Sequence, residues 1–336
     1  MPSDKTICMM SIFFEKKLHL QKKNEYLNSL PMQIPLLNKN RIILLIVFIL
    51  VIIPASSQNL EPRAYGNVPK NLNVIAIGYG FIDGNVLTDP SLPIANFIIR
   101  SHNIGLGYVH TFGLANKLAR IQVTIPYVFV DGSIEDTYGG VKTGSRNGFG
   151  DAKIRFGFNL LGSPALETKD FKNFEQKTIL GVSLVTSIPT GNYYGNKKMN
   201  IGANRWAFKP EIGISKRFRN LYAEFYTGVW FYTQNNDYFV KKELTQQPTF
   251  SFQAHASYYF KNKMWIGFNS NWFVGGRSII DDISQDSQLD NWRVGGIFST
   301  PITKNQSIKL QFHVGAFTNK GLSYDEVTLN YQYSFF

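Results

Sequence analysis

Val327-Thr328-Leu329-Asn330-Tyr331-Gln332-Tyr333-Ser334-Phe335-Phe336 is the most telling stretch of this chain. Through Phe335 its residues alternate strictly between apolar and polar. Successive side chains of a strand point to opposite faces. Val327, Leu329, Tyr331, Tyr333 and Phe335 therefore share a greasy face, and Thr328, Asn330, Gln332 and Ser334 a wet one. A closing strand of this kind, ending on aromatics, is what an outer-membrane β-barrel presents at its seam and periplasmic interface. The expected register of lipid-facing aromatics ends at Phe335 and leaves Phe336 outside it.

Composition agrees. Only 17% of residues are charged, 15% are aromatic and 28 are glycine. A mean hydropathy of −0.13 is far too polar for a helical membrane protein, while the aromatic load is heavy for a soluble one. A barrel averages to neutrality because each strand has one lipid face and one water face. The 336 residues accommodate a single barrel without a second large domain.

The one long apolar run, Ile42 to Ile53, follows Lys39 and Arg41 and precedes Pro54-Ala55-Ser56-Ser57. It falls short of the about 20 residues that a spanning helix needs. A basic start, a short apolar core and small residues at Ala55 and Ser57 make a secretory signal, with cleavage expected before Gln58. Met32 stands at the usual distance from that core, so translation is expected to start there. Cys8, the sole cysteine, lies upstream of the cleavage point, so the mature chain carries no thiol, which fits an oxidising compartment. Three parts follow: an extension and signal at 1–57, an irregular segment at 58–71 with Pro62 and Pro69, and a barrel at 72–336. The irregular segment either lies in the periplasm or plugs the lumen.

The formal charge of +12 falls to +8 once 1–57 is removed, because that segment holds seven basic and three acidic residues. No basic helix or Lys/Arg stripe accompanies the surplus, so nucleic acid is not an expected partner. A cationic lumen and rim account for it.

The mature chain divides into alternating runs near 72–82, 97–112, 118–130, 149–161, 177–189, 205–216, 221–233, 249–260, 264–275, 290–301, 307–317 and 324–336. Twelve strands, an even number, return both ends to the periplasm. Connectors alternate in length: 114–117, 217–220, 261–263 and 303–306 are short, whereas 83–96, 131–147, 190–204, 234–247 and 276–289 are long and polar. Two connectors depart from this, a long one at 162–176 and a short one at 318–322. Pro126, Pro189 and Pro210 all fall near the outer rim, where a bulge absorbs a missing donor. The expected fold is thus an all-β, antiparallel, up-and-down transmembrane barrel of about twelve strands.

A cation facing lipid at the midplane costs about 2–4 kcal/mol, so the charged faces belong inside. That places Arg120, Lys153, Arg155, Glu211, Glu224, Arg293, Lys309 and His313 toward the lumen. Tyr222, Tyr226 and Trp230 share a face with Glu224 and offer a stacked apolar track. The simplest role for most of these charges is pairing across the lumen. Repeated Gly-x-Gly pairs, Gly78/Gly80 and Gly105/Gly107, lack a following helix; they read as points of close packing rather than phosphate loops.

Three motifs carry a family resemblance. Gly148-Phe149-Gly150-Asp151-Ala152-Lys153, Ile188-Pro189-Thr190-Gly191-Asn192-Tyr193 and Trp206-Ala207-Phe208-Lys209-Pro210 resemble elements of the outer-membrane family named for the MetA pathway of phenol degradation. The resemblance implies a channel or transporter for small molecules, with aromatic or hydrophobic compounds as cargo. A barrel of this kind would contact outer-membrane lipid and lipopolysaccharide, and its strand 327–336 would address the barrel-assembly machinery.

A hydrolase is the rival reading. His255-Ala256-Ser257 is similar to the H-x-S pair of outer-membrane phospholipase A and lipid A deacylase. Here Tyr258-Tyr259 follows where phospholipase A has Asn-Gly, and the alternation turns His255 and Ser257 inward, away from lipid. A structural barrel without flux is the third reading. His102, His110, His255 and His313 lack the close spacing of zinc ligands. Asp281, Asp282, Asp286 and Asp290 miss the EF-hand spacing. No cofactor or metal is expected.

Overall fold

A computed structural model describes residues 62–85, 98–135, 141–197, 199–320 and 323–336. The expected signal segment lies outside the described residues. The first eight strands are β1 (Asn73–Asn85), β2 (Ile98–Leu114), β3 (Lys117–Glu135), β4 (Val141–Phe149), β5 (Ala152–Leu161), β6 (Thr178–Ile188), β7 (Ala207–Phe218) and β8 (Leu221–Tyr232). Two short strands follow, β9 (Asn235–Tyr238) and β10 (Lys242–Gln246), then β11 (Thr249–Tyr259) and β12 (Trp265–Gly275). A second short pair, β13 (Ser278–Ile280) and β14 (Ile283–Ser284), precedes β15 (Leu289–Pro301), β16 (Gln306–Lys320) and β17 (Ser323–Phe335).

Each long strand pairs antiparallel with its neighbours, and β1 pairs with both β2 and β17, which closes the sheet. At the seam Asn73 faces Phe335 and Gly80 faces Thr328. Phe336 extends past the last paired residue and is exposed. With β4 and β5 counted as one wall strand, the barrel has twelve.

Alternation sorts the side chains as lipid demands. Ile75, Ile77, Leu106, Phe225, Phe268 and Leu329 stand on the outer surface, each more than two-fifths exposed. Apolar exposure on this scale suits hydrocarbon and not water. The short periplasmic connectors are tight hairpins: Ala115 and Asn116 both take positive φ, 47° and 58°, as a two-residue turn matched to strand twist requires.

Three details differ from the sequence reading. Residues 131–147, expected as a loop, continue as strand, with β3 reaching Glu135 and β4 beginning at Val141. The segments 234–247 and 276–289 are not plain loops either; β9, β10, β13 and β14 form a separate four-stranded sheet. Beyond the lipid a strand edge can bond to water, so pairing there needs no barrel closure. Finally, the strand expected at 149–161 breaks at Gly150-Asp151. Pro126 stands opposite and has no N–H to give, while its carbonyl accepts from Gly150 N at 2.9 Å. Thr124 faces Lys153 but Tyr127 faces Phe149, a slip of one residue across the break. Pro210 similarly interrupts the β7–β8 ladder between Phe208 and Glu211, and Pro189 follows the end of β6.

The outward set should be intolerant of charge. Ile77→Lys, near the middle of β1, is expected to destabilise the refolded barrel by about 2–4 kcal/mol, read as a lower urea midpoint; the inward Gln332→Lys should shift it far less.

Candidate substrate path in the barrel lumen

The lumen is filled unevenly. On the β5–β8 side, residues 62–66 enter from the periplasmic end and are gripped by the wall. Tyr65 is 1% exposed. Its ring lies against the paired glycines Gly181 and Gly213, where any Cβ would overlap the ring. Its hydroxyl donates to Glu211 Oε1 at 3.0 Å and bonds to Ser183 Oγ at 3.0 Å. Burial and the Glu211 carboxylate both push this phenol up, so it remains a donor. Tyr226 meets the ring edge to face, with centroids 5.0 Å apart.

Arg63 is the second anchor. Its backbone N–H donates to Glu224 Oε2 at 2.8 Å, and its guanidinium to Glu224 Oε1 at 3.3 Å. The same guanidinium reaches Gln176 Oε1 at 3.3 Å and lies 3.9 Å above the Tyr222 ring. Arg120 holds the segment by its backbone, donating to the carbonyls of Ala64 at 2.6 Å and Gly66 at 2.7 Å. Toward the outer rim from them Glu211 accepts from Arg155 at 2.6 Å and Lys209 at 2.8 Å. Buried charge is tolerated only when paired in this way.

The opposite side is open. A cavity of about 490 Å³ runs along β1, β2, β3, β16 and β17, floored by Pro62, Arg63 and Ala64. Its wall is built from Ala76, Gly78, Gly80, Gly105 and Gly107, with Lys153, Lys309, Gln311, Glu326 and Asn330 around it. These glycines do not all mark close packing, as their sequence suggested. A Cβ at Gly105 would meet nothing within 4 Å, and one at Gly107 only ordinary contacts. At Gly78, by contrast, a Cβ would overlap Asn330. Small residues on this face hold space open.

At the outer rim the break at Gly150-Asp151 gains a purpose. Asp151 Oδ1 accepts from Gly191 N and Oδ2 from Ala203 N, both at 2.8 Å. Thr190 Oγ1 accepts from Ala152 N at 3.0 Å, and Asn192 Oδ1 from Phe149 N at 2.7 Å. The G-F-G-D and P-T-G-N motifs thus lock together and pin the 189–206 loop across the barrel mouth. There Ile201 and Ala203 pack with Ile82, Ile99, Val128, Val130, Leu289 and Tyr324.

All twelve side chains named from sequence lie on the lumen side. Arg120, Arg155, Glu211, Tyr222, Glu224 and Tyr226 converge on residues 62–66. Lys153, Lys309 and His313 border the cavity. Trp230 lies under Lys209 at 5.4 Å, and Arg293 stacks 3.8 Å from the Tyr324 ring. The aromatic row Tyr222, Tyr226 and Trp230 is not an open track, because Arg63, Tyr65 and Lys209 cover it. His255 Nδ1 bonds to Asn269 Oδ1 at 2.9 Å. Ser257 Oγ has no hydrogen-bond partner among the described residues, so no Ser–His dyad forms. Among the described residues no acidic or histidine cluster has the geometry to hold a metal. Asp281 instead accepts from Glu243 N at 2.9 Å. Arg63 and Tyr65 were missed in sequence; the one signal was a pair of inward glycines, 181 and 213, facing each other across β6 and β7.

A closed twelve-stranded barrel with an apolar outer belt defines an outer-membrane β-barrel protein. Residues 80–323 match the family described as "Putative MetA-pathway of phenol degradation", and the chain belongs to that family. No curated protein matches this sequence. Among solved structures, the COG4313 outer membrane channel from Pseudomonas putida F1 aligns with a TM-score of 0.69 at 18% identity, over 82% of this chain and 100% of that one. That likeness shows the fold. The transport unit of the autotransporter AIDA-I from Escherichia coli is more distant, at 0.47 and 12%, over 83% of this chain and 93% of that one. The CymD monoaromatic hydrocarbon channel lies further still, at 0.41 and 9%, over 83% and 94%.

If Glu224 holds residues 62–66 in place, Glu224→Ala should release Arg63 and widen the lumen. Single-channel conductance is expected to at least double, and Tyr65→Ala should act in the same direction.

Proposed function

We propose that this protein is a passive outer-membrane channel for small molecules, with aromatic or hydrophobic compounds as its cargo class. The observation that carries the reading is the cavity along the glycine-walled side of the lumen, continuous from Pro62–Ala64 to Val128 and Ile201. Twelve strands lie between eight-stranded barrels filled by side chains and sixteen-stranded porins with an open channel, and here one side of the lumen is left unfilled. Flat cargo fits a wall of backbone and glycine, and the family description ties these proteins to phenol degradation. Residues 1–57 act as the secretory leader, strand 327–336 addresses the assembly machinery, and the apolar belt meets lipid and lipopolysaccharide. Cargo is carried without covalent change: the one serine–histidine pair suggested by sequence does not bond.

Basic side chains outnumber acidic ones around the cavity, with Arg63, Arg120, Lys153, Arg155 and Lys309 against Asp151 and Glu326. A pore with such a lining favours anions.

Planar-bilayer recording of the purified protein tests the reading. Steady conductance with anion preference is expected, and a folded barrel that stays silent would overturn it. Gly105→Trp, which fills open space, should cut the conductance by more than half. Lys309→Glu should move the reversal potential toward cation selectivity. Lipase activity should be at background in the wild type and unchanged in His255→Ala.

A further inference from the structure

Strand register places Glu224, His255, Asn269, Gly295, His313 and Glu326 in one row across β8, β11, β12, β15, β16 and β17. The last two members border the cavity. His313 is 1% exposed and Glu326 5%. Among the described residues neither ring nitrogen of His313 has a hydrogen-bond partner, and neither does Glu326 Oε2. Buried polar groups are normally paired, and two unpaired ones at the edge of a cavity point to a partner that enters it.

Local sequence shapes this corner. A Cβ at Gly295 would overlap the His313 ring, so glycine is what lets the imidazole lie across β15. On the other flank a Cβ at Gly80 would stand 3.1 Å from Glu326 Oε1. Thr328 hydrogen-bonds to the same carboxyl group and holds it. Arg293, whose charge also acts on both His313 and Glu326, stacks on Tyr324 and donates to its carbonyl at 3.1 Å.

We propose that His313 and Glu326 form a lumenal subsite for the hydroxyl group of a small neutral alcohol or phenol. A neutral imidazole offers one donor and one acceptor, and a carboxylate offers acceptors. A hydroxyl group answers both, donating to Glu326 and accepting from His313. A ligand carboxylate can only accept and brings no donor for the Glu326 oxygens. A plain hydrocarbon leaves both groups unpaired, and sites built to bond a hydroxyl reject analogues that lack it.

This subsite rests on the channel reading, so its test uses a readout that needs no current. Binding of phenol, toluene and benzoate to the whole purified protein is followed by saturation-transfer NMR, alongside the bilayer recording. Phenol is expected to bind at least tenfold tighter than toluene or benzoate, and Glu326→Leu and His313→Leu should each lose that tenfold. Should either fail to give the heat-sensitive mobility of a folded barrel, Glu326→Gln and His313→Gln replace them, with at least a threefold loss expected. Equal binding of phenol and toluene, or variants that keep phenol affinity, would overturn the subsite even if the pore conducts. A silent pore with phenol-selective binding would instead sink the channel reading and leave the subsite standing.

Discussion

A strand edge inside lipid has no water to bond to, so every N–H and C=O of the wall must find a partner in the wall itself. Closure through β1 and β17 meets that requirement, and the remaining features follow from it. Once the sheet is closed, alternate side chains have only two destinations, hydrocarbon or a narrow lumen. The apolar set goes out and the charged set goes in. A lumen of twelve strands is then crowded with groups that must satisfy one another.

The crowding is resolved asymmetrically. On the β5–β8 side Arg155, Lys209, Glu211 and Glu224 pair among themselves and with Arg63, and Tyr65 seals the arrangement. On the β1–β2 face Ala76, Gly78, Gly80, Gly105 and Gly107 keep side-chain volume low. Glycine serves both ends. Gly181 and Gly213 are small so that a ring can fit against the backbone, whereas Gly105 is small so that nothing does. The result is a channel displaced from the barrel axis, with a rigid polar flank and a smooth one. The rim loop, fastened by Asp151 to the backbone of Gly191 and Ala203, covers the outer end.

Much of this was legible in the sequence because a period of two residues is a local signal. Strand number, seam strand and the inward set from Arg120 to His313 all follow from alternation and the cost of charge in lipid. The contents of the lumen were less legible, because they depend on which strands closure brings face to face. Arg63 and Tyr65 sit in a segment with no periodicity, and their partners Glu224 and Glu211 lie about 150 residues away. The aromatic row at Tyr222, Tyr226 and Trp230 was read correctly as inward, but what covers it comes from elsewhere in the chain. Inward glycines look alike in sequence whether they face a ring, as Gly213 does, or a void, as Gly105 does. The G-F-G-D and P-T-G-N motifs carried the family resemblance, yet their shared purpose emerged only when Asp151 met Gly191.

The interrupted strand at Gly150-Asp151 also separates two regimes of change. Below it, a residue inserted or lost would slip the β3–β5 register and turn a lipid face inward. Above it, the β3–β4 hairpin has already shifted by one residue and is joined to the wall through Pro126 and the Asp151 contacts. Length variation in the surface hairpin is therefore absorbed at the break and never reaches the membrane register.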